Sequence, residues 1–130
     1  MTAQAAFLAA LAALRTDRPG DYLAVLAEVA GMTAQCRVDK ETFDLTCTEK
    51  AITLTPAPHP DLYVATSRTM LISIVEGDVT LMVAIRSCAL QLKGETAALA
   101  RLARAQRRFA QGAARSRRVQ RTFDAFRTGD

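Results

Sequence analysis

Residues 61–102 read DLYVATSRTMLISIVEGDVTLMVAIRSCALQLKGETAALARL, and the rest of the chain is arranged around them. Residues 62–66 are a short strand-like run closing at Thr66-Ser67. Two apolar segments follow, hinged at Glu76-Gly77-Asp78, and residues 88–93 alternate with Cys88, Leu90 and Leu92 on one face before Gly94 opens a helix. No acid/base pair, nucleophile or metal-ligand cluster interrupts the run. What it offers is apolar surface, which favours binding over catalysis.

The two hinged segments, 70–75 and 79–85, admit two readings. Their β-branched residues Ile72, Ile74, Val75, Val79, Thr80, Val83 and Ile85 suit a hairpin. As helices, Leu71, Ile74 and Val75 share one face of the first, while Val79, Met82 and Val83 share a face of the second with Leu81 and Ile85 beside it. Ser67 would then cap the first helix, Gly77 would end it and Asp78 would cap the second. The residues alone leave both readings open.

Upstream, Phe7, Leu8, Leu11 and Leu14 fall at helical spacing on an Ala-rich background, and Pro19-Gly20 punctuates the end of this helix. Asp21 is placed to cap a second helix carrying Tyr22, Leu23, Leu26 and Val29, with Gly31 past its end. From Ala34 the period becomes two. Phe43, Leu45 and Cys47 alternate with polar residues over 42–48, Ile52 and Leu54 do so over 51–55, and Glu49-Lys50 is the turn between them. A weaker first strand spans 35–39, and Pro56, Pro58 and Pro60 break the sheet. Downstream, Leu99, Leu102 and Phe109 lie on one stripe of a helix that Gly112 interrupts; a last helix from Ala113 aligns Val119, Phe123 and Phe126 among Arg115, Arg117, Arg118 and Arg121.

The chain has 130 residues, enough for one domain that buries roughly 70% of its unfolded surface. Half of the residues are hydrophobic but only 5% are aromatic and none is Trp, so the core is aliphatic. The net charge of +4 is unevenly held: residues 1–100 carry −3 and residues 101–130 carry +7. The apolar run 5–14 lacks a preceding basic residue and is shorter than the roughly 20 residues a membrane span needs, so neither a signal peptide nor an anchor is expected. Cys36, Cys47 and Cys88 are odd in number and widely spaced, which points to reduced, buried thiols and a cytoplasmic setting.

Catalytic constellations are missing. The serines lack a G-x-S-x-G context, and His59, the only histidine, sits between prolines with no ligand partners at metal spacing. Glu76 and Asp78 flank a turn glycine, where carboxylates usually serve as solvated caps. No phosphate-cradling glycine loop occurs. No enzyme activity, cofactor or metal site is therefore expected. The Arg-rich tail suits a solvated face, an anionic membrane surface or an acidic protein partner. Nucleic acid is disfavoured because no recognition fold or aromatic platform accompanies the charge. A homodimer is compatible with the sequence.

The strand closing in Thr66-Ser67-Arg68, the apolar run to Glu76-Gly77-Asp78, the segment from Leu81 to Ile85, and Leu90-Gln91-Leu92-Lys93-Gly94-Glu95 before Leu99 resemble the sterol carrier protein 2 (SCP2-like) lipid-binding family in its small bacterial form. The similarity runs from about Phe43 to Gly112 and decides for helices at 70–85. It implies an α+β fold, about five mainly antiparallel strands covered by helices and enclosing a hydrophobic cavity; with the elements read from the residues, the expectation is one domain over 1–130, made of a helical hairpin (1–31), a core (34–112) and a basic helix (113–127) that is not part of the shared pattern.

It also implies non-catalytic binding or transfer of a fatty acyl, sterol-like or isoprenoid lipid. The residues expected to line the cavity are Phe43, Leu45 and Leu54 from the first strands; Leu71, Ile74, Val75, Leu81, Met82 and Ile85 from the hinged segments; and Leu90, Leu92, Leu99, Leu102 and Phe109 beyond them. Arg115, Arg117, Arg118, Arg121, Phe123 and Phe126 are expected to meet a partner or membrane. The alternative is an accessory module of a lipid, quinone or secondary-metabolite pathway, with these apolar residues filling a solid core and the Arg-rich helix making the contact.

Overall fold

The computed structural model describes residues 1–128; Gly129 and Asp130, the end of the expected 1–130 domain, lie outside the described residues. Two helices open the chain, α1 (Ala3–Asp17) and α2 (Pro19–Val29). Thr2 caps α1, and the carboxylate of Glu41, far along the chain, accepts from the N–H groups of Ala3 and Gln4 at 2.8 Å each. The start of α2 differs from expectation. Pro19, with fixed φ and no N–H to leave unpaired, takes the first helical position, so Asp21 lies inside the first turn and pairs with Arg18 at 3.0 Å. Gly31 follows the helix at φ +85°, as a C-terminal glycine should.

Five strands form one sheet: β1 (Thr33–Val38), β2 (Glu41–Cys47), β3 (Ile52–Thr53), β4 (Leu62–Thr66) and β5 (Leu90–Gly94), in the order β3-β2-β1-β4-β5. β1 and β4 are parallel and the other pairings antiparallel, so the sheet is mixed but mainly antiparallel. Alternation places Ala34, Val38, Phe43, Leu45, Cys47 and Leu62 in the core. β3 is an edge strand cut short ahead of Pro56, which leaves Leu54 exposed rather than directed inward. β5 begins at Leu90, because Cys88 adopts φ +60° in the preceding turn and is exposed.

Residues 68–86 form two helices joined by a turn, not a hairpin. Ser67 caps α3 (Arg68–Val75) by accepting from the Met70 N–H, and Gly77 at φ +83° follows its end. α4 (Leu81–Arg86) is capped by Thr80, whose hydroxyl accepts from the Val83 N–H at 3.2 Å; Asp78, the expected cap, lies outside the helix. α5 (Thr96–Ala113) continues through Gly112 instead of breaking there. The glycine serves packing: a Cβ on it would fall 2.7 Å from Leu14 Cδ1 and 2.9 Å from Asp21 Cβ, so α5 can lie against the first two helices only without it. α6 (Arg117–Arg127) starts later than expected, after Ser116, whose hydroxyl accepts from the Val119 N–H and donates to Asp17 at 2.7 Å. This ties α6 to the end of α1, and the main core gathers residues from α1, α2, α3, α5, α6 and one face of the sheet.

Candidate functional site

Between that sheet face and the helices lies an apolar pocket of about 210 Å³. Its floor comes in rows across the sheet: Leu45, Ala34 and Leu62 stand side by side in register, followed by Phe43, Cys36 and Val64. α1 supplies Ala6, Phe7, Ala10 and Leu11, α2 supplies Val25 and Val29, and α5 contributes Leu102, Ala105 and Phe109. Leu71, Ile72, Ile74 and Val75 of α3 and Leu81 of α4 close another side, with Leu90 and Leu92 of β5.

Polar chemistry in the wall is already satisfied. The Gln106 amide donates to the Ile74 carbonyl at 2.6 Å, and the Thr66 hydroxyl donates to the Ala89 carbonyl at 2.9 Å. Burial pushes the Cys36 thiol up to about 12 and the Cys47 thiol up to about 11, so both are uncharged small hydrophobes at neutral pH. The wall is suited to dispersion and burial rather than to a covalent step or a polar anchor. Among the described residues, no group of three or more His, Cys, Asp or Glu is placed to hold a metal ion, and no helix is long and apolar enough to cross a membrane.

Ten of the fourteen residues expected at a cavity meet here: Phe43, Leu45, Leu71, Ile74, Val75, Leu81, Leu90, Leu92, Leu102 and Phe109. Four do not. Leu54 has left the sheet, Met82 and Ile85 point to solvent, 56% and 38% exposed, and Leu99 packs half-buried against the core outside the lining. Sequence reasoning missed the walls from α1, α2 and α6. Phe7 and Leu11 carried a helical-spacing signal, but nothing local shows which surface a helix covers.

The expected membrane or partner contacts divide. Arg115, Arg117, Arg118 and Arg121 are exposed, and Arg118 pairs with Asp17 at 2.9 Å. Phe123 and Phe126 are instead buried, 4% and 3% exposed, and line the pocket, because the apolar stripe of α6 is spent on the core against α1 and Phe109.

No protein-family model and no curated protein matches the sequence. Solved structures do. The UbiJ-SCP2 ubiquinone synthesis protein is similar with a TM-score of 0.62 at 16% identity, over 80% of this chain and 93% of that one. The sterol carrier protein domain 2 of Helicoverpa armigera is similar with a TM-score of 0.58 at 14% identity, over 83% and 87%. The sec-alkylsulfatase Pisa1 from Pseudomonas sp. is similar with a TM-score of 0.50 at 22% identity, over 58% of this chain but 13% of the enzyme. Two small proteins matched along most of their length share the mixed sheet and its helical cover. The chain has the fold of the sterol carrier protein 2 (SCP2-like) domains.

Proposed function

We propose that the chain binds one hydrophobic ligand, a fatty acyl, sterol-like or isoprenoid lipid, without covalent chemistry, and carries it. The observation that supports this is the pocket itself: about 210 Å³ with no buried side-chain nitrogen or oxygen left without a partner in its wall. Left empty, such a space costs on the order of 5 kcal/mol at about 24 cal/mol per Å³, a large share of the roughly 5–15 kcal/mol that holds a domain together. Each methylene buried there returns about 0.8 kcal/mol.

The space is larger than the roughly 150 Å³ that accepts benzene and smaller than the roughly 300–1,000 Å³ of typical ligand pockets. A long chain therefore enters by moving a wall. α4 is the wall least held: Ala84 is its one fully buried residue, and Met82 and Val83 stand more than half exposed. Native mass spectrometry of purified protein, followed by organic extraction, tests the proposal. A stoichiometric lipid adduct is expected. A mass that stays bare when fatty acids, sterols and isoprenoid alcohols are offered refutes it.

Charge supports a second reading, in which the chain acts as an accessory module. Arg107, Arg108, Arg115, Arg117 and Arg121 are exposed and form no ion pair with any carboxylate among the described residues. With Phe123 and Phe126 buried, contact with an anionic membrane or acidic protein would be electrostatic and weakened by salt. Saturable binding of an acidic partner by protein that takes up no lipid would favour it.

A further inference from the structure

A second cavity stands beside the pocket. It is an open cleft of about 500 Å³ between α3, with Glu76 just past its end, and the end of α6 at Phe126 and Arg127, with Asp39 and Asp78 also in its lining. Ile72 and Phe126 line both cavities. They are 7% and 3% exposed, so two buried side chains border the cleft on one side and the apolar pocket on the other. An amphiphile lying across them would keep its chain in the pocket and its head in the cleft.

We propose that this cleft receives the headgroup of the pocket's ligand and selects an uncharged, hydrogen-bonding head over an anionic one; the proposal rests on the lipid reading of the pocket. The cleft's cations are already engaged. The Arg68 guanidinium donates to the carbonyls of Met1 at 3.0 Å and Phe126 at 2.8 Å and lies 4.0 Å over the Phe126 ring. Arg127 pairs with Glu76 and with Asp124. The carboxylates of Asp39 and Asp78 form no ion pair among the described residues, and Asp39 accepts only from the Arg68 backbone N–H, at 3.2 Å.

Among the described residues of the lining, Asp39, Glu76 and Asp78 outnumber Arg68 and Arg127 by one negative charge. A carboxylate or phosphate head meets that charge; Arg127 is open to it only if an ion pair breaks, and Arg68, which forms no ion pair among the described residues, is turned to the Met1 and Phe126 carbonyls. A hydroxyl head donates to Asp39 or Asp78 and breaks nothing. The ligand class is thus a long-chain alcohol or a partial glyceride rather than a free fatty acid.

Calorimetric titration at pH 8 with 1-monolauroylglycerol and with laurate, both below their aggregation concentrations, tests this. The glyceride should bind about tenfold more tightly, the scale of one like-charge interaction near a protein surface. The double variant Asp39→Asn, Asp78→Asn should improve laurate binding about tenfold and weaken the glyceride, whose hydroxyl then meets neutral amides instead of carboxylates, so that the native preference is lost or reversed. Both positions are exposed, and Asn suits Asp39's backbone at φ +54° while keeping an acceptor for the Arg68 N–H, so the variant folds. Equal or tighter binding of laurate by the native protein, or an unchanged ratio in the variant, overturns the headgroup assignment while the pocket reading stands. Binding of neither compound overturns the pocket reading and this assignment with it.

Discussion

Ala34 offers a test of whether the pocket is space or packed core. It sits on the central strand β1 between Leu45 of β2 and Leu62 of β4, and all three line the pocket, so the small side chain is a dent in a row of leucines. Ala34→Val adds two methyl groups on that face and is β-branched, which suits a strand. If the dent is empty, the added carbons are buried without displacing anything, which stabilises by about 1.6 kcal/mol at roughly 0.8 kcal/mol per carbon.

For 130 residues, unfolding entropy near the midpoint is about 0.27 kcal/mol/K, so ligand-free protein should gain about 6 °C in Tm. Urea unfolding should show a higher midpoint with an unchanged slope. Lipid added at a fixed concentration should then stabilise the variant less than the native protein, because part of its site is filled. A fall in Tm refutes the reasoning. Overpacking a filled core costs about 1–3 kcal/mol, so that result would mean the walls touch in solution and the accessory-module reading should be preferred.

Gly112→Ala should destabilise although alanine is the better helix former. The helical gain of about 1 kcal/mol meets an overpacking cost of about 1–3 kcal/mol, since the new Cβ would lie 2.7 Å from Leu14, a side chain with no exposure; a higher urea midpoint would contradict the close approach. Asp17 should govern part of the acid limb of unfolding. The Ser116 hydroxyl, aided by Arg118, holds its carboxyl below the ordinary 3.8. Its stabilisation is therefore present above that ordinary value and is lost as pH falls through the lowered folded one. Asp17→Asn should lower the Tm at pH 7 and flatten its decline towards pH 2; a parallel curve would rule the carboxylate out. Thiol labelling of native protein at pH 8 should modify the exposed Cys88 rapidly, while Cys36 and Cys47, pushed up by burial to about 12 and about 11, react only on unfolding. Rapid loss of all three thiols would show that the pocket opens readily.

What could be read in the sequence depended on whether its signal was local. Phe43, Leu45 and Cys47 announce a half-buried strand by alternation alone, and Gly31 and Gly77 mark helix ends because those positions adopt positive φ. Residues 68–86 were ambiguous because β-propensity mostly measures fit to a packed surface, and Ile72 and Ile74 are packed as fully on a buried helix as they would be in a sheet. The caps at Ser67 and Thr80 are what favour helices there, each worth about 1 kcal/mol. The α6 stripe was harder still. Val119, Phe123 and Phe126 among arginines form the same pattern whether the apolar face meets a membrane or a core. The difference lies in a contact no local window contains. Ser116, 2% exposed, joins Asp17 across 99 positions and presses the stripe onto α1, which makes Phe126 a wall of the pocket rather than a contact with a bilayer.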